Sequence, residues 1–224
     1  MKENNQKRSF LNFEADAWFD RNKEAIINYN SEIDNVILLI KKYNLNPNSV
    51  LEIGSSSGYR LKAIKDLYKN CTVYGVEPSK KAIKYGISNN PSVNFIHGTA
   101  DSLECVEDNS MDIVIVGFVF YVIDRNILLK VVSEIDRVLK NNGILVIIDF
   151  FSESSLKNAY EHIESFSAFS YKQDYYKIFT ASKLYYLLNK STYNHNTGNE
   201  DASEDYFNKF TLSLLKKDIN SSYK

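Results

Sequence analysis

The chain is poor in the residues that mark metal, redox and secreted scaffolds. It has two cysteines in 224 residues, Cys71 and Cys105, and their spacing fits neither a metal-binding nor a redox motif. A reduced, cytoplasmic setting suits them. No cluster of histidine, cysteine and carboxylate residues has ligand spacing, so no metal is expected. The opening Met1–Arg8 is polar with no apolar stretch behind it, so no secretory leader is read there. The longest apolar run, Ile113–Ile123, is too short for a bilayer span, which needs roughly 20 residues. Membrane insertion is therefore not expected. A formal net charge of −1, without a basic stripe, gives no pull toward nucleic acid. No internal repeat and no interdomain linker are visible.

What is present is an alternation of short apolar runs and amphipathic segments. Ile26, Tyr29, Ile33, Val36, Ile37, Ile40 and Tyr43 recur at three- and four-residue steps and predict one long helix. Strands are predicted at Ser49–Ile53, Thr72–Val76, Val93–Ile96, Asp112–Gly117 and Gly143–Phe150, with helices between them. Ser79 is placed to cap the helix Lys80–Ile87. Asp124 is placed to cap a helix reaching Leu139 and stopping at Asn142-Gly143. Beyond Phe150 the pattern dissolves into an aromatic, polar stretch. Thr180 or Ser182 starts a predicted helix through Leu188, residues 191–206 read as a loop around a weak strand, and Lys209–Leu215 is a last strand. The length suits one domain: an N-terminal lid and helix (1–44), a core (45–150), an insertion shaping a second-ligand site (151–178), and a closing helix and strands (179–224). Strands separated by helices imply a parallel sheet covered on both faces.

The candidate site residues gather at the carboxyl ends of these strands, where open α/β sheets bind ligands. Val50-Leu51-Glu52-Ile53-Gly54-Ser55-Ser56-Ser57-Gly58 runs a buried strand into a turn of small residues, and a helix follows. Gly54 and Gly58 allow a tight turn and close approach of backbone to ligand, and Ser55, Ser56 and Ser57 can donate hydrogen bonds to a carboxylate. Glu77 ends the second strand, where an acidic side chain can accept both ribose hydroxyls of an adenosine, and Pro78 and Ser79 turn the chain onward. After the third strand, Ala100, Asp101 and Ser102 can frame an adenine, with Asp101 accepting its amino group. The fourth strand delivers Gly117, Phe118 and Val119 to the same edge.

These segments in order, LEIGSSSG, VEPS, HGTADSL and MDIVIVGFVFYV, resemble the successive motifs of class I S-adenosylmethionine (SAM) dependent methyltransferases over about residues 45–150. The resemblance implies an α/β, Rossmann-like doubly wound sheet, mostly parallel with one antiparallel strand near the C-terminus. It implies SAM as cofactor, held by the residues named above. The family's middle glycine of the first motif is Ser56 here, a substitution expected to hold its backbone at negative φ. WFDRN and SYKQDY with the following FTAS look like bacterial methyltransferases of small molecules encoded beside surface-polysaccharide genes. They point to a small-molecule acceptor, either a sugar or nucleotide-sugar hydroxyl or amine or another small metabolite; a monomer or homodimer is expected.

Several readings stay open on sequence. Glu52 either touches the cofactor's methionine end through water or satisfies loop amides. Trp18, Arg21 and Asn22 form either a hydrophobic staple or a lid; as a lid, Arg21 pairs with a carboxylate and the Trp18 ring faces the sulfonium. Tyr121, Asp149 and His162 are the catalytic candidates, as acceptor-site wall, hydroxyl partner and general base. Tyr171, Lys172 and Asp174 stand level with His162 as candidates, and His97 and His195 read as structural or solvated. The rivals are a SAM-binding protein without catalysis and a nicotinamide-dependent oxidoreductase, the latter lacking an intervening glycine for G-x-G-x-x-G.

Overall fold

The computed structural model describes residues 5–163 and 168–220. Five strands, β1 (Ser49–Ile53), β2 (Thr72–Glu77), β3 (Asn94–His97), β4 (Met111–Gly117) and β5 (Leu139–Phe150), pair parallel to one another. Two small strands, β6 (Leu156–Ala159) and β7 (Phe169–Lys172), form a separate antiparallel pair in the aromatic insertion. Then β8 (Tyr185–Asn194) and β9 (Lys209–Lys217) complete a seven-stranded sheet of order β3-β2-β1-β4-β5-β9-β8. Only β9 runs against the rest, antiparallel to both β5 and β8. The chain thus has the α/β, Rossmann-like fold that the motifs imply.

Alternation along the central strands sorts their side chains into two apolar layers. Leu51, Val114, Val116, Leu145 and Ile147 face Val131, Ile135 and Val138 of the helix that precedes β5. Val50, Ile113, Ile115, Val146 and Ile148 face Val36, Ile37 and Ile40 and, from the helix after β1, Leu61 and Ile64. The helices are α1 (Asn5–Ser9), α2 (Ala15–Ile27), α3 (Asn35–Lys42), α4 (Tyr59–Leu67), α5 (Lys80–Asn89), α6 (Leu128–Val138) and α7 (Tyr176–Thr180). A π-helical turn, Phe10–Glu14, joins α1 to α2.

Four boundaries differ from the sequence pattern. The predicted long helix is two helices, because the Asp34 carboxylate accepts the N–H groups of Val36 and Ile37 and starts α3 afresh; Ile33, 72% exposed, lies outside the apolar face. Asp124 does not cap α6, whose first residue has no side-chain cap; its carboxylate accepts the Asn126 N–H at 2.9 Å. Asn142-Gly143 is no helix stop but part of an irregularity inside β5, where Met111 pairs with Leu139 and Ile113 with Ile144. Asn142 takes the left-handed conformation there, φ 66°. Finally, the helix expected from Thr180 or Ser182 ends at Thr180, and Tyr185–Asn194 is the edge strand, with Leu187 and Leu188 exposed.

Candidate functional site

The carboxyl ends of β1, β2 and β4 border a cavity of about 690 Å³, within the range of small-ligand sites. Its floor is the sheet edge, and its roof is α1, the π-helical turn and α2. Gln6 fastens the roof, its amide donating to the carbonyls of Val122 (2.7 Å) and Phe169 (2.9 Å).

The turn after β1 has three left-handed residues in five: Gly54 at φ 76°, Ser56 at 48° and Gly58 at 73°. A Cβ on Gly54 would lie 2.5 Å from a Val119 methyl group, so the turn needs glycine to nest against the end of β4. Ser56 does not hold negative φ as expected. Its N–H is aimed at a Glu77 oxygen, 2.8 Å away, and this orientation accompanies the left-handed backbone. The hydroxyls of Ser55, Ser56 and Ser57 are buried and unpartnered among the described residues. Of the three, Ser56 lines the cavity, whereas Ser55 packs against Gly75 under the turn.

Glu77 closes β2 at the cavity wall with 7% of its surface exposed. One carboxylate oxygen accepts the Ser56 N–H and the other the Ser79 N–H, each at 2.8 Å. Burial still pushes its pKa up to about 7. Each oxygen keeps a second lone pair for a ligand hydroxyl. Ser79 itself is a helix cap: its hydroxyl accepts the Ala82 N–H and donates to Asp16 of the roof at 2.6 Å. Pro78 reaches the cavity and Ser79 does not.

Asp101 and Ala100 also line the cavity, but Ser102 turns away and donates to Glu104. Asp101 is held by Lys7 of the roof, at 2.8 and 2.7 Å to its two oxygens. Burial alone would raise its pKa; the Lys7 and Thr99 hydrogen bonds outweigh burial and leave it below the ordinary value.

Glu52 meets neither loop amides nor the cavity directly. It pairs with the guanidinium of Arg60, which also donates to Asp34 at 2.9 Å. Burial is the larger influence on Glu52 and raises its pKa against the pull of Arg60. Its second oxygen, Oε2, is buried without a partner among the described residues. Arg60 lies on the cavity wall.

Trp18, Arg21 and Asn22 line the roof side, as a lid requires. The carboxylate that Arg21 pairs with is Glu14, which is 3% exposed and also accepts the Tyr160 hydroxyl at 2.7 Å. Gly117, Phe118, Val119, Tyr121 and His162 face the cavity. Asp149 does not. It is 1% exposed, and its oxygens accept the N–H groups of Phe150 (2.8 Å) and Tyr121 (3.4 Å). It therefore anchors the turn after β4, and burial pushes its pKa up to about 7. Among the described residues no carboxylate, histidine and cysteine cluster could hold a metal, and no helix is long and apolar enough to cross a membrane.

Sequence reading missed Lys7, Glu14, Tyr29, Asp34, Arg60, Tyr160 and His195, all at the cavity or bonded to its walls. Arg60 carried a usable signal, one turn into the helix after Gly58 and eight residues from Glu52. His195 carried none, since it stands in a polar loop far along the chain.

Residues 51–147 match the model of a family described as a methyltransferase domain. No curated protein matches the sequence. Among solved structures, the Burkholderia thailandensis 1,6-didemethyltoxoflavin-N1-methyltransferase with bound 1,6-didemethyltoxoflavin and S-adenosylhomocysteine superposes with a TM-score of 0.69 at 9% identity, covering 96% of this chain and 90% of that one. A SAM-dependent methyltransferase from Methanosarcina mazei gives 0.62 at 16% identity, covering 80% and 97%. One from Aquifex aeolicus gives 0.57 at 17% identity, covering 82% and 90%. At these identities the likeness is one of fold.

Proposed function

We propose that the chain is a SAM-dependent methyltransferase acting on a small molecule, its methyltransferase-domain match at 51–147 forming the cofactor half of the cavity. The observation that carries this reading is Glu77, a buried carboxylate at the end of β2 whose oxygens are oriented by two backbone N–H groups while it faces the cavity. The polar atoms left over fit the group. Ser56 Oγ and Tyr29 Oη, on residues that line the cavity, are buried and unpartnered among the described residues, and such groups cost stability until a partner arrives.

Glu77 would hold the ribose diol, and Gly54–Gly58 the methionine portion. Glu52, behind the cavity wall, holds the Arg60 guanidinium that lines it. Ala100 and Asp101 would border the adenine, with Lys7 sharing the Asp101 carboxylate. The bound cofactor supplies an electrophilic methyl group on a sulfonium centre. The chain's own task is alignment and exclusion of water. Trp18 and the rest of the roof cover the cavity, and the Trp18 ring is available to a cation. Gly117 leaves the end of β4 bare, so a ligand can approach the Gly54 turn. WFDRN and SYKQDY support a sugar-linked acceptor; the walls of the acceptor end support another class, argued below. A cytoplasmic monomer or homodimer stays part of this reading.

Calorimetric titration with SAM, S-adenosylhomocysteine and NAD tests it. SAM and S-adenosylhomocysteine should bind, and Glu77→Ala should weaken both by about tenfold or more, the loss of charge-assisted hydrogen bonds. Unchanged affinity in that variant, or binding of NAD alone, would refute the assignment. Transfer of labelled methyl to a metabolite pool separates an enzyme from a protein that only binds SAM.

A further inference from the structure

The end of the cavity beyond Gly117 is a chamber of rings from separate elements. Phe118 follows β4 and Phe150 ends β5, their centroids 5.2 Å apart. Tyr121 meets Phe150 edge-on at 5.0 Å, and Tyr160 stands 6.4 Å from Tyr121. His195, beyond β8, lies 5.0 Å from Phe150 and 5.6 Å from Phe118. All five line the cavity. The imidazole's contacts among the described residues are with rings, so its nitrogens are open to a ligand.

Phe118 adds an independent observation. Its backbone is left-handed, φ 51°, a conformation that strains a residue with a bulky side chain. The ring lines the cavity beside the Gly54 turn, to which the reading above assigns the methionine portion.

We propose that this end of the cavity takes a flat, conjugated acceptor laid against its wall of rings, and that His195 receives the proton given up by the acceptor's methylated N–H or O–H. The proposal rests on the methyl-transfer reading above. Ring walls bury the faces of a planar molecule well, whereas the hydroxyls of a sugar would be buried against Phe118 and Phe150 without partners. The acceptor's lone pair forms the new bond to carbon, the old carbon–sulfur pair stays on sulfur, and the released proton makes His195 imidazolium. Desolvation beside the neighbouring rings and the Lys172 charge lower the His195 pKa, which favours the neutral imidazole that can accept. A phenol or ring N–H matches such a base more closely than an aliphatic hydroxyl does. Tyr121 is unsuited to that role, because burial and Asp149 raise its pKa and keep it protonated. Of the charged groups on the elements around His195, Lys172 faces it, with its ammonium 5.4 Å from the Phe150 centroid. Asp149 turns to backbone N–H groups and Lys209 to the Ser203 carbonyl.

The probe is 7-hydroxycoumarin, titrated into protein saturated with S-adenosylhomocysteine and read by fluorescence and absorbance, with UDP-glucosamine as the sugar arm. The coumarin should bind at least about tenfold more tightly than UDP-glucosamine, and should be methylated when SAM replaces S-adenosylhomocysteine. Phe118→Gly, which relieves the backbone while removing the ring, should weaken the coumarin by about tenfold; a melting curve confirms that it folds. His195→Gln should hold affinity within about fivefold and slow that methylation by about a hundredfold. Failure of the coumarin to bind, stronger binding of UDP-glucosamine, undiminished affinity in Phe118→Gly, or methylation undiminished in His195→Gln would each overturn the proposal. Calorimetry of S-adenosylhomocysteine alone is run beside it, so loss of the cofactor reading shows as absent cofactor binding and loss of this one as bound cofactor without bound coumarin.

Discussion

Ser56 carries a Cβ at φ 48°, between two left-handed glycines. A left-handed backbone costs a side-chain-bearing residue about 1–2 kcal/mol, while glycine loses about 0.5–1 kcal/mol more chain entropy on folding. The two nearly offset, with a small margin for glycine. Ser56→Gly should therefore stabilise the protein by up to about 1 kcal/mol in denaturant unfolding, and leave the Ser56 N–H on Glu77. Ser56→Val, with a branched side chain in the same backbone, should destabilise it by about 1–2 kcal/mol or more. A valine variant as stable as wild type would show that the turn does not need this conformation.

At the scale of elements, Asp34 joins two tasks. One oxygen caps α3 and the other receives the Arg60 side chain. Asn caps as well as Asp but carries no charge, so Asp34→Asn isolates the ion pair, and Asp34→Ala removes both. The alanine variant should be less stable than the asparagine variant by about 1 kcal/mol, measured by chemical unfolding of the two side by side. Equal stability would mean that the cap contributes nothing. The same residue shows where sequence reading stops. The 3.6-residue periodicity of Ile26 to Tyr43 runs straight through the break, because the cap acts through a side-chain geometry that periodicity does not encode. The parallel strands were legible, since each is a short apolar run bounded by turn residues. The edge strand β8 was not: Tyr185 is buried while Tyr186, Leu187 and Leu188 are exposed, so apolar residues there mark no core face. In the site, Glu77 and the Gly54 turn were legible from their place after strands. Lys7, Glu14 and His195 reach the cavity only through long-range folding, and Asp149 reads as a ligand-edge residue until its backbone bonds are seen.

At the scale of the molecule, buried carboxylates set the response to pH. The pKa of Glu77 is raised by burial from the ordinary 4.5 to about 7, and that of Asp149 from 3.8 to about 7. Between the ordinary and the raised values the folded chain binds more protons than the unfolded one, so stability falls as pH rises through that window. Asp16, Asp101 and Asp112, lowered by their partners, act in the opposite sense below about their ordinary 3.8. The melting temperature of the ligand-free protein should thus decline from about pH 5 to 7, and Glu77→Gln should flatten that slope. A melting temperature that climbs steadily across this interval would contradict the assignment of Glu77 as a buried, proton-holding carboxylate.

The roof is tethered lightly compared with the floor. Its small apolar cluster has Phe19, Ile26 and Ala82 as buried members, helped by the Gln6, Lys7 and Asp16 contacts, whereas β1 is bonded along both edges inside two apolar layers. Detaching residues 5–27 leaves the sheet intact, so admitting a visitor and dismantling the protein are separate energetic events. Native-state hydrogen exchange should resolve two tiers: α2 amides that open through local fluctuations, and β1 and β4 amides that exchange only when the whole chain unfolds. A trapped nucleoside should slow the first tier far more than the second.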